Sequence, residues 1–321
     1  MSHNRIEIER EGRVVVARLS NPPYGFMDRE MVAGLDELVS SLVGDRSVGS
    51  VVITGGQSGR FVTHYDVAEI LAGTESFGAE VGPRAAGATL AATGGLRRLP
   101  LMGAALKRTQ AGGVVELQQI HDLFLRMNRL DKVFIAAIGG PAMGGGCELA
   151  LSCDLRLMAK GEGRIGLPET TLGILPGAGG TQRMARAVGT ARALEMILEG
   201  EALEAEAAVE AGLVNRAVPA TKLLEEAMEV AERMARRAPG SIAGAKQALY
   251  FGASKPLADG LAEERRHFLS AGSAPEAHRA MAAYVAELEE SGKVPAADGR
   301  RFPKWQAGEV VDMGAGTDDD G

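Results

Sequence analysis

Two glutamates, each beside a cluster of glycines, are the residues of this sequence best suited to chemistry. The stretch Ile135-Ala136-Ala137-Ile138-Gly139-Gly140-Pro141-Ala142-Met143-Gly144-Gly145-Gly146-Cys147-Glu148-Leu149-Ala150 reads as an apolar strand passing through glycines into a helix. Glycines there let a ligand approach the main chain, and the first N–H groups of a helix have no partners inside it. Those donors, at the positive end of the helix dipole, suit an oxygen that is acquiring negative charge. Glu148 falls in the first helical turn, where its carboxylate can face the same space. The second carboxylate, Glu169, lies 21 positions further on (169 − 148) in Ile165-Gly166-Leu167-Pro168-Glu169-Thr170-Thr171-Leu172-Gly173-Ile174-Leu175-Pro176-Gly177-Ala178-Gly179-Gly180-Thr181-Gln182-Arg183. Each stretch alone also has a plainer reading: a tightly packed helix start for the first, a surface Pro-Glu helix start for the second. Neither a dinucleotide fingerprint nor a Walker lysine accompanies the glycines.

These groups must be positioned by the elements around them. Residues 6–19 read as two short strands joined at Glu11-Gly12, and Asn21-Pro22-Pro23-Tyr24-Gly25 as a turn. Apolar residues from Asp28 to Val43 recur at helical spacing behind an Asp N-cap candidate. Residues 50–54 form a short buried strand, so strand, helix and strand follow one another as in a parallel βαβ unit. A helix is expected over about 114–130, and strands over 133–138 and 154–159. Beyond the second glycine cluster the chain reads as almost wholly helical, and residues 291–321 as a polar extension anchored by Phe302 and Trp305.

Composition sets the outer bounds. The 321 residues are 45% hydrophobic and 24% charged, the balance of a globular chain with a sizeable core. Aromatics are only 4%, so Ala, Val, Leu, Ile and Met must fill that core. A net charge of −7 argues against general nucleic-acid binding, which needs a basic footprint. Cys147 and Cys153 have neither metal nor disulfide spacing and read as buried helix thiols. His3, His121, His267 and His278 show no ligand spacing, so no metal site is expected. The polar N-terminus lacks a signal sequence, and no apolar run is long enough to span a bilayer. The expectation is a cytoplasmic protein without membrane or nucleic-acid partners.

Taken together, GGGCELA after a strand, the Asp154 strand, and PE followed by LGxxPGxGGTQR resemble the enoyl-CoA hydratase/isomerase (crotonase) superfamily. The resemblance covers roughly residues 5–290. It implies an α/β fold, a spiral of ββα repeats with two near-perpendicular sheets and a C-terminal helical region that assembles trimers, often paired into hexamers. On that pattern residues 1–200 form the acyl-CoA-binding core, 201–290 the helical oligomerisation region and 291–321 an extension. The implied substrate is an acyl-CoA thioester, with coenzyme A part of the substrate and no separate cofactor. Residue by residue, the resemblance places one oxyanion N–H on Gly145, the two hydratase carboxylates on Glu148 and Glu169, and a water-holding N–H on Gly177. Gly144 and Leu172 fall beside them on the substrate side. The second oxyanion donor belongs to a loop that usually reads F-x-A-G-x-D. Here it is Phe61-Val62-Thr63-His64-Tyr65-Asp66, which puts the donor on Tyr65 and the loop's substrate contacts on Phe61, Val62, Thr63, His64 and Asp66. His64 replaces the usual glycine, so its side chain either narrows the channel, bonds the substrate or turns outward. Ala68 stands where a lysine is common.

The activity so implied is hydration of a trans-2-enoyl-CoA, with Glu148 activating water and Glu169 serving the Cα proton. A Δ3-to-Δ2 enoyl-CoA isomerase needs only one base, most naturally Glu169, and a catalytically weak acyl-CoA-binding protein is a third reading. The chain is longer than the family pattern around 73–113, which reads as a lid over the acyl group or as a surface excursion. Within it, Arg97, Arg98, Lys107 and Arg108 read first as a solvated basic face, with contact to CoA phosphates or membrane lipid as the alternative.

Overall fold

Short apolar runs bounded by glycine or polar turns become strands, and longer runs at helical spacing become the helices between them. The computed structural model describes residues 5–314 except 77, 79, 97–101, 107–108 and 110–111. The basic side chains Arg97, Arg98, Lys107 and Arg108 lie outside the described residues, as does His3. The chain opens with the hairpin β1 (Ile6–Glu11) and β2 (Val14–Leu19), then α1 (Arg29–Ser41) and β3 (Ser50–Gly55). Four helices follow: α2 (Val67–Glu75), α3 (Pro83–Leu96), α4 (Met102–Leu106) and α5 (Gly112–Arg129). Next come β4 (Val133–Ile138), β5 (Ala142–Met143), α6 (Gly145–Ser152), β6 (Leu155–Ala159) and β7 (Ile165–Gly166). Helices α7 (Gly180–Val188) and α8 (Thr190–Glu199) lead to β8 (Ala202–Leu203), α9 (Ala205–Glu210) and β9 (Arg216–Val218). The chain closes with α10 (Leu223–Ala235), α11 (Pro239–Gln247), α12 (Leu257–Gly272), α13 (Pro275–Ser291) and α14 (Phe302–Ala307).

The main sheet has six strands in the order β1-β2-β3-β4-β6-β9, and a smaller one the order β5-β7-β8. β1 pairs antiparallel with β2, and every later neighbour in the main sheet is parallel. The runs VVVARL, SVVITG and VFIAAI are apolar almost throughout because both faces of these parallel strands are covered. Alternate residues divide between two cores, as the two-residue period of a strand requires. Val14, Val16, Val52, Ile135 and Ala137 pack with Leu223, Ala227 and Val230 of α10, whereas Val15, Ala17, Val51, Ile53, Phe134 and Ala136 join the larger core with α1 and α5.

The expected elements up to residue 200 are present within a few residues. The Asp28 carboxylate caps α1 by accepting the Met31 N–H at 2.8 Å. Past the second glycine cluster the chain is less wholly helical than its spacing implies. β8 and β9 have two and three residues, too few to show alternation, yet β9 is an edge strand of the main sheet and comes from the segment after residue 200. Behind the sheet, Lys246 of α11 is buried and donates to the Met127 and Lys132 carbonyls at 2.8 and 2.6 Å and to Asp154 Oδ2 at 2.8 Å. The extension after 291 docks through Trp305, whose Nε1–H donates to Glu287 at 2.7 Å and whose ring meets Tyr284 edge-on. Phe302, the other expected anchor, is exposed. A half-buried indole with a satisfied N–H, together with Arg301 on Glu287 and Arg236 and Arg237 on the backbone carbonyls of residues 305–307, holds this segment.

Candidate active site

The small sheet brings the two glycine clusters together. β5 pairs parallel with β7, and the Gly144 N–H donates to the Gly166 carbonyl at 2.9 Å. The turn after β7 carries Glu169, and the turn before α6 carries Gly144 and Gly145. Gly144 has φ +49°, a left-handed conformation, and a Cβ there would stand 3.1 Å from Glu169 Oε1. A side chain at 144 is therefore excluded twice over.

Gly145 closes onto the loop of residues 61–66. A Cβ at Gly145 would lie 3.0 Å from Tyr65 Cβ and 3.2 Å from Tyr65 N, so the two backbones touch. The amides around them are spoken for: Met27 N–H donates to the His64 carbonyl, Asp66 N–H to the Met27 carbonyl, and Met143 N–H to the Thr63 carbonyl. Among the described residues the N–H groups of Tyr65 and Gly145 have no acceptor. Two unpaired amides from chain positions 80 apart (145 − 65) thus sit side by side.

Glu148 and Glu169 line the same cavity of about 740 Å³ as Tyr65, Gly144, Gly145, His64, Leu172 and Gly177. Glu148 is buried, and its Oε1 accepts N–H groups from Ala178 at 2.7 Å and Gly180 at 2.8 Å. Burial raises its pKa above the usual carboxylate value, and those two amides, with Arg183 nearby, pull against that rise. Glu169 has less support: its own backbone N–H pulls its pKa down, but its Oε2 is buried without a hydrogen-bond partner among the described residues. Burial, with the neighbouring Glu148 charge, pushes its pKa up to about 7. The two carboxylates thus occupy different environments within one space.

The structure divides the remaining sequence-expected residues. Phe61 and Val62 are core residues and do not line the cavity, because the Val62 carbonyl packs directly against Gly146 at the start of α6. Thr63 turns its hydroxyl to the Tyr24 carbonyl, and Asp66 caps α2 by accepting the Ala68 N–H at 2.9 Å. Their contribution is to hold the loop. His64 does line the cavity, yet its ring is tied to its own loop. It stacks on Phe26 at 4.3 Å, and Nδ1 must carry its proton because it donates to the Tyr65 carbonyl at 2.7 Å. Nε2 is left as an acceptor.

Sequence reasoning did not anticipate Ala178 and Gly180 as donors to Glu148; the resemblance gave Gly177 a different part, an N–H beside the reacting water. The Gly177 carbonyl accepts His121 Nε2–H at 2.6 Å, from a histidine that its spacing made look structural. Of the 73–113 excursion, only Gly73, Thr74 and Gly113 line the cavity among the described residues. Gly113 would place a Cβ 3.3 Å from Gly73 Cα, so the excursion leaves and returns at one point while α3 packs on α5 through Gln118.

The six-stranded sheet, the small glycine-bearing sheet and the helical last third define a crotonase fold. The chain belongs to the enoyl-CoA hydratase/isomerase family, whose profile matches residues 102–291. It is 32% identical over 290 residues to a probable enoyl-CoA hydratase of Rhizobium meliloti, covering 89% of this chain and 97% of that one. It is 44% identical over 163 residues to the 2,3-dehydroadipyl-CoA hydratase of Escherichia coli; that match spans 51% of this chain and 64% of the relative. Among solved structures, an enoyl-CoA hydratase from Bacillus anthracis superposes with a TM-score of 0.69 at 26% identity, covering 91% of this chain and 98% of that one.

Proposed function

We propose that the protein is an enoyl-CoA hydratase that adds water across the 2,3-double bond of an enoyl-CoA thioester. The observation that carries this reading is the meeting, in one cavity, of the unpaired Tyr65 and Gly145 amides with two carboxylates of unlike environment. In this reading both amides donate to the thioester oxygen. Glu148, held by Ala178 and Gly180, takes a proton from water as its oxygen bonds to Cβ. The π electrons move onto the thioester oxygen as an enolate, and the two donors stabilise that charge by roughly a few kcal/mol each. Glu169, whose raised pKa keeps a proton available near neutrality, protonates Cα. In this reading the Gly177 N–H helps hold the water. Coenzyme A enters as part of the substrate, and the reaction so written balances with no further cofactor.

The test is the fall in enone absorbance when crotonyl-CoA meets the protein. Glu148→Gln and Glu169→Gln should each lower turnover by at least about a hundredfold, the scale of a lost general acid or base. Full turnover in both variants would overturn these roles. A Δ3-to-Δ2 isomerase is the second reading, favoured by the lone, unsupported carboxylate of Glu169; it would act on a 3-enoyl-CoA and tolerate Glu148→Gln.

Assembly into trimers or hexamers is part of the same proposal. It is supported by the exposed side chains of Leu257, Phe268 and Leu269 on α12 and Met281 and Val285 on α13. No described helix is long and apolar enough to cross a membrane, and a cytoplasmic site of action is the reading that goes with an acyl-CoA substrate.

A further inference from the structure

Away from the paired amides, α2 and α5 bound the cavity with apolar Val67, Ile70, Val114, Leu117 and Ile120. Glu69, in the first turn of α2, interrupts that surface. Its Oε2 is occupied: it accepts the Tyr65 hydroxyl at 2.9 Å and the Arg29 backbone N–H at 3.1 Å. Its Oε1 has no donor among the described residues. Arg29 compensates the charge only weakly, because its Nε lies 3.7 Å from Glu69 but 2.8 Å from Glu116. Glu69 therefore presents an open acceptor at a stretch of the cavity walled mainly by apolar side chains, where the neighbouring Glu116 is paired with Arg29. Glu169 Oε2, buried without a partner on the same cavity, is independent testimony that the space is shaped for a ligand.

We propose that Glu69 determines specificity at the far part of the acyl group, favouring a chain that carries a hydroxyl there and disfavouring one that ends in a carboxylate. The proposal rests on the acyl-CoA reading of the site and extends it to the chemistry of the acyl group. A hydroxyl would donate to Oε1 in a charge-assisted hydrogen bond. A carboxylate would bring like charge against Oε1 between apolar walls, where repulsion is stronger than in water. A methyl-ended chain gains neither effect and leaves Oε1 to solvent.

Saturated thioesters cannot be hydrated, so their binding reports this preference separately from turnover. Dissociation constants would be measured by calorimetry on the full-length protein for hexanoyl-, 6-hydroxyhexanoyl- and adipyl-CoA, and for the three eight-carbon counterparts. At one or both lengths the hydroxyl-ended thioester should bind at least about fivefold more tightly than the carboxylate-ended one. That ratio should shrink in Glu69→Gln, whose amide oxygen still accepts the Tyr65 hydroxyl, and grow in Arg29→Gln; because Arg29 also pairs with Glu116 on the same cavity, the growth should vanish when Glu69→Gln is added to Arg29→Gln. A structural disturbance alone would not move the two variants in opposite directions. Equal or tighter binding of the carboxylate-ended thioester by the unmodified protein at both lengths overturns the proposal, as does a ratio unmoved by a cooperatively melting Glu69→Gln. If no thioester binds, hexanoyl-CoA included, the acyl-CoA reading itself falls and this proposal with it.

Discussion

Gly145→Ala puts the paired amides to their hardest test. The added methyl would stand 3.0 Å from Met27 Cε, 3.0 Å from Tyr65 Cβ and 3.2 Å from Tyr65 N. The Met27 terminus can swing away, but the Tyr65 contacts are with the backbone and the atom attached to it. That backbone is held on both sides by the bonds between Met27 and residues 64 and 66, and by the Tyr65 hydroxyl on Glu69. The two amides must then part by a few tenths of an ångström, enough to spoil convergence on one oxygen. Loss of one effective donor lowers kcat by roughly 10²–10³, while overpacking costs about 1–3 kcal/mol of stability. KM for crotonyl-CoA should change far less, because the charge the donors meet develops in the transition state. The measurement is steady-state hydration together with a melting curve. An alanine variant that melts cooperatively and retains kcat within about threefold would refute convergence of the Tyr65 and Gly145 amides.

The proposed hydration has the two carboxylates share one proton, held by Glu169 and absent from Glu148. Deprotonation of Glu169 removes that state as pH rises through about 7, so kcat/KM should fall on the alkaline side with a midpoint near there. Because the overall reaction takes up no net proton, dehydration should show the same limb; a profile flat to high pH would contradict the assignment. Lys246→Met leaves Asp154 buried without its cation, and a loss of about 3–5 kcal/mol should appear in denaturant titration. Trp305→Ala deletes the Glu287 hydrogen bond and the Tyr284 ring contact. It should cost about 2 kcal/mol with kcat unchanged, and a stability loss too small to measure would mean the extension is not anchored there.

What could be read in the sequence alone was local or strongly patterned. The apolar runs of β2, β3 and β4, the Asp28 cap of α1 and the order of glycines around Glu148 and Glu169 each depend on residues close in the chain, so spacing carries them. The glycines at 144 and 145 were legible as sites of close approach because a residue without a side chain lets another group reach the main chain. Only the tertiary structure decided what those glycines approach. Parallel pairing of β5 with β7 sets Glu169 against Gly144, and contact between the 61–66 loop and α6 sets Tyr65 beside Gly145. The same long-range packing sent Phe61 and Val62 into the core, gave Glu148 its donors from Ala178 and Gly180, and turned His121 onto Gly177. Strands as short as β8 and β9 exist only because neighbours complete their hydrogen bonds, so no periodicity announces them. The chain's own chemistry pointed to two carboxylates, whereas burial and distance, which belong to the folded molecule, gave Glu148 two amide donors and left one Glu169 oxygen with none among the described residues.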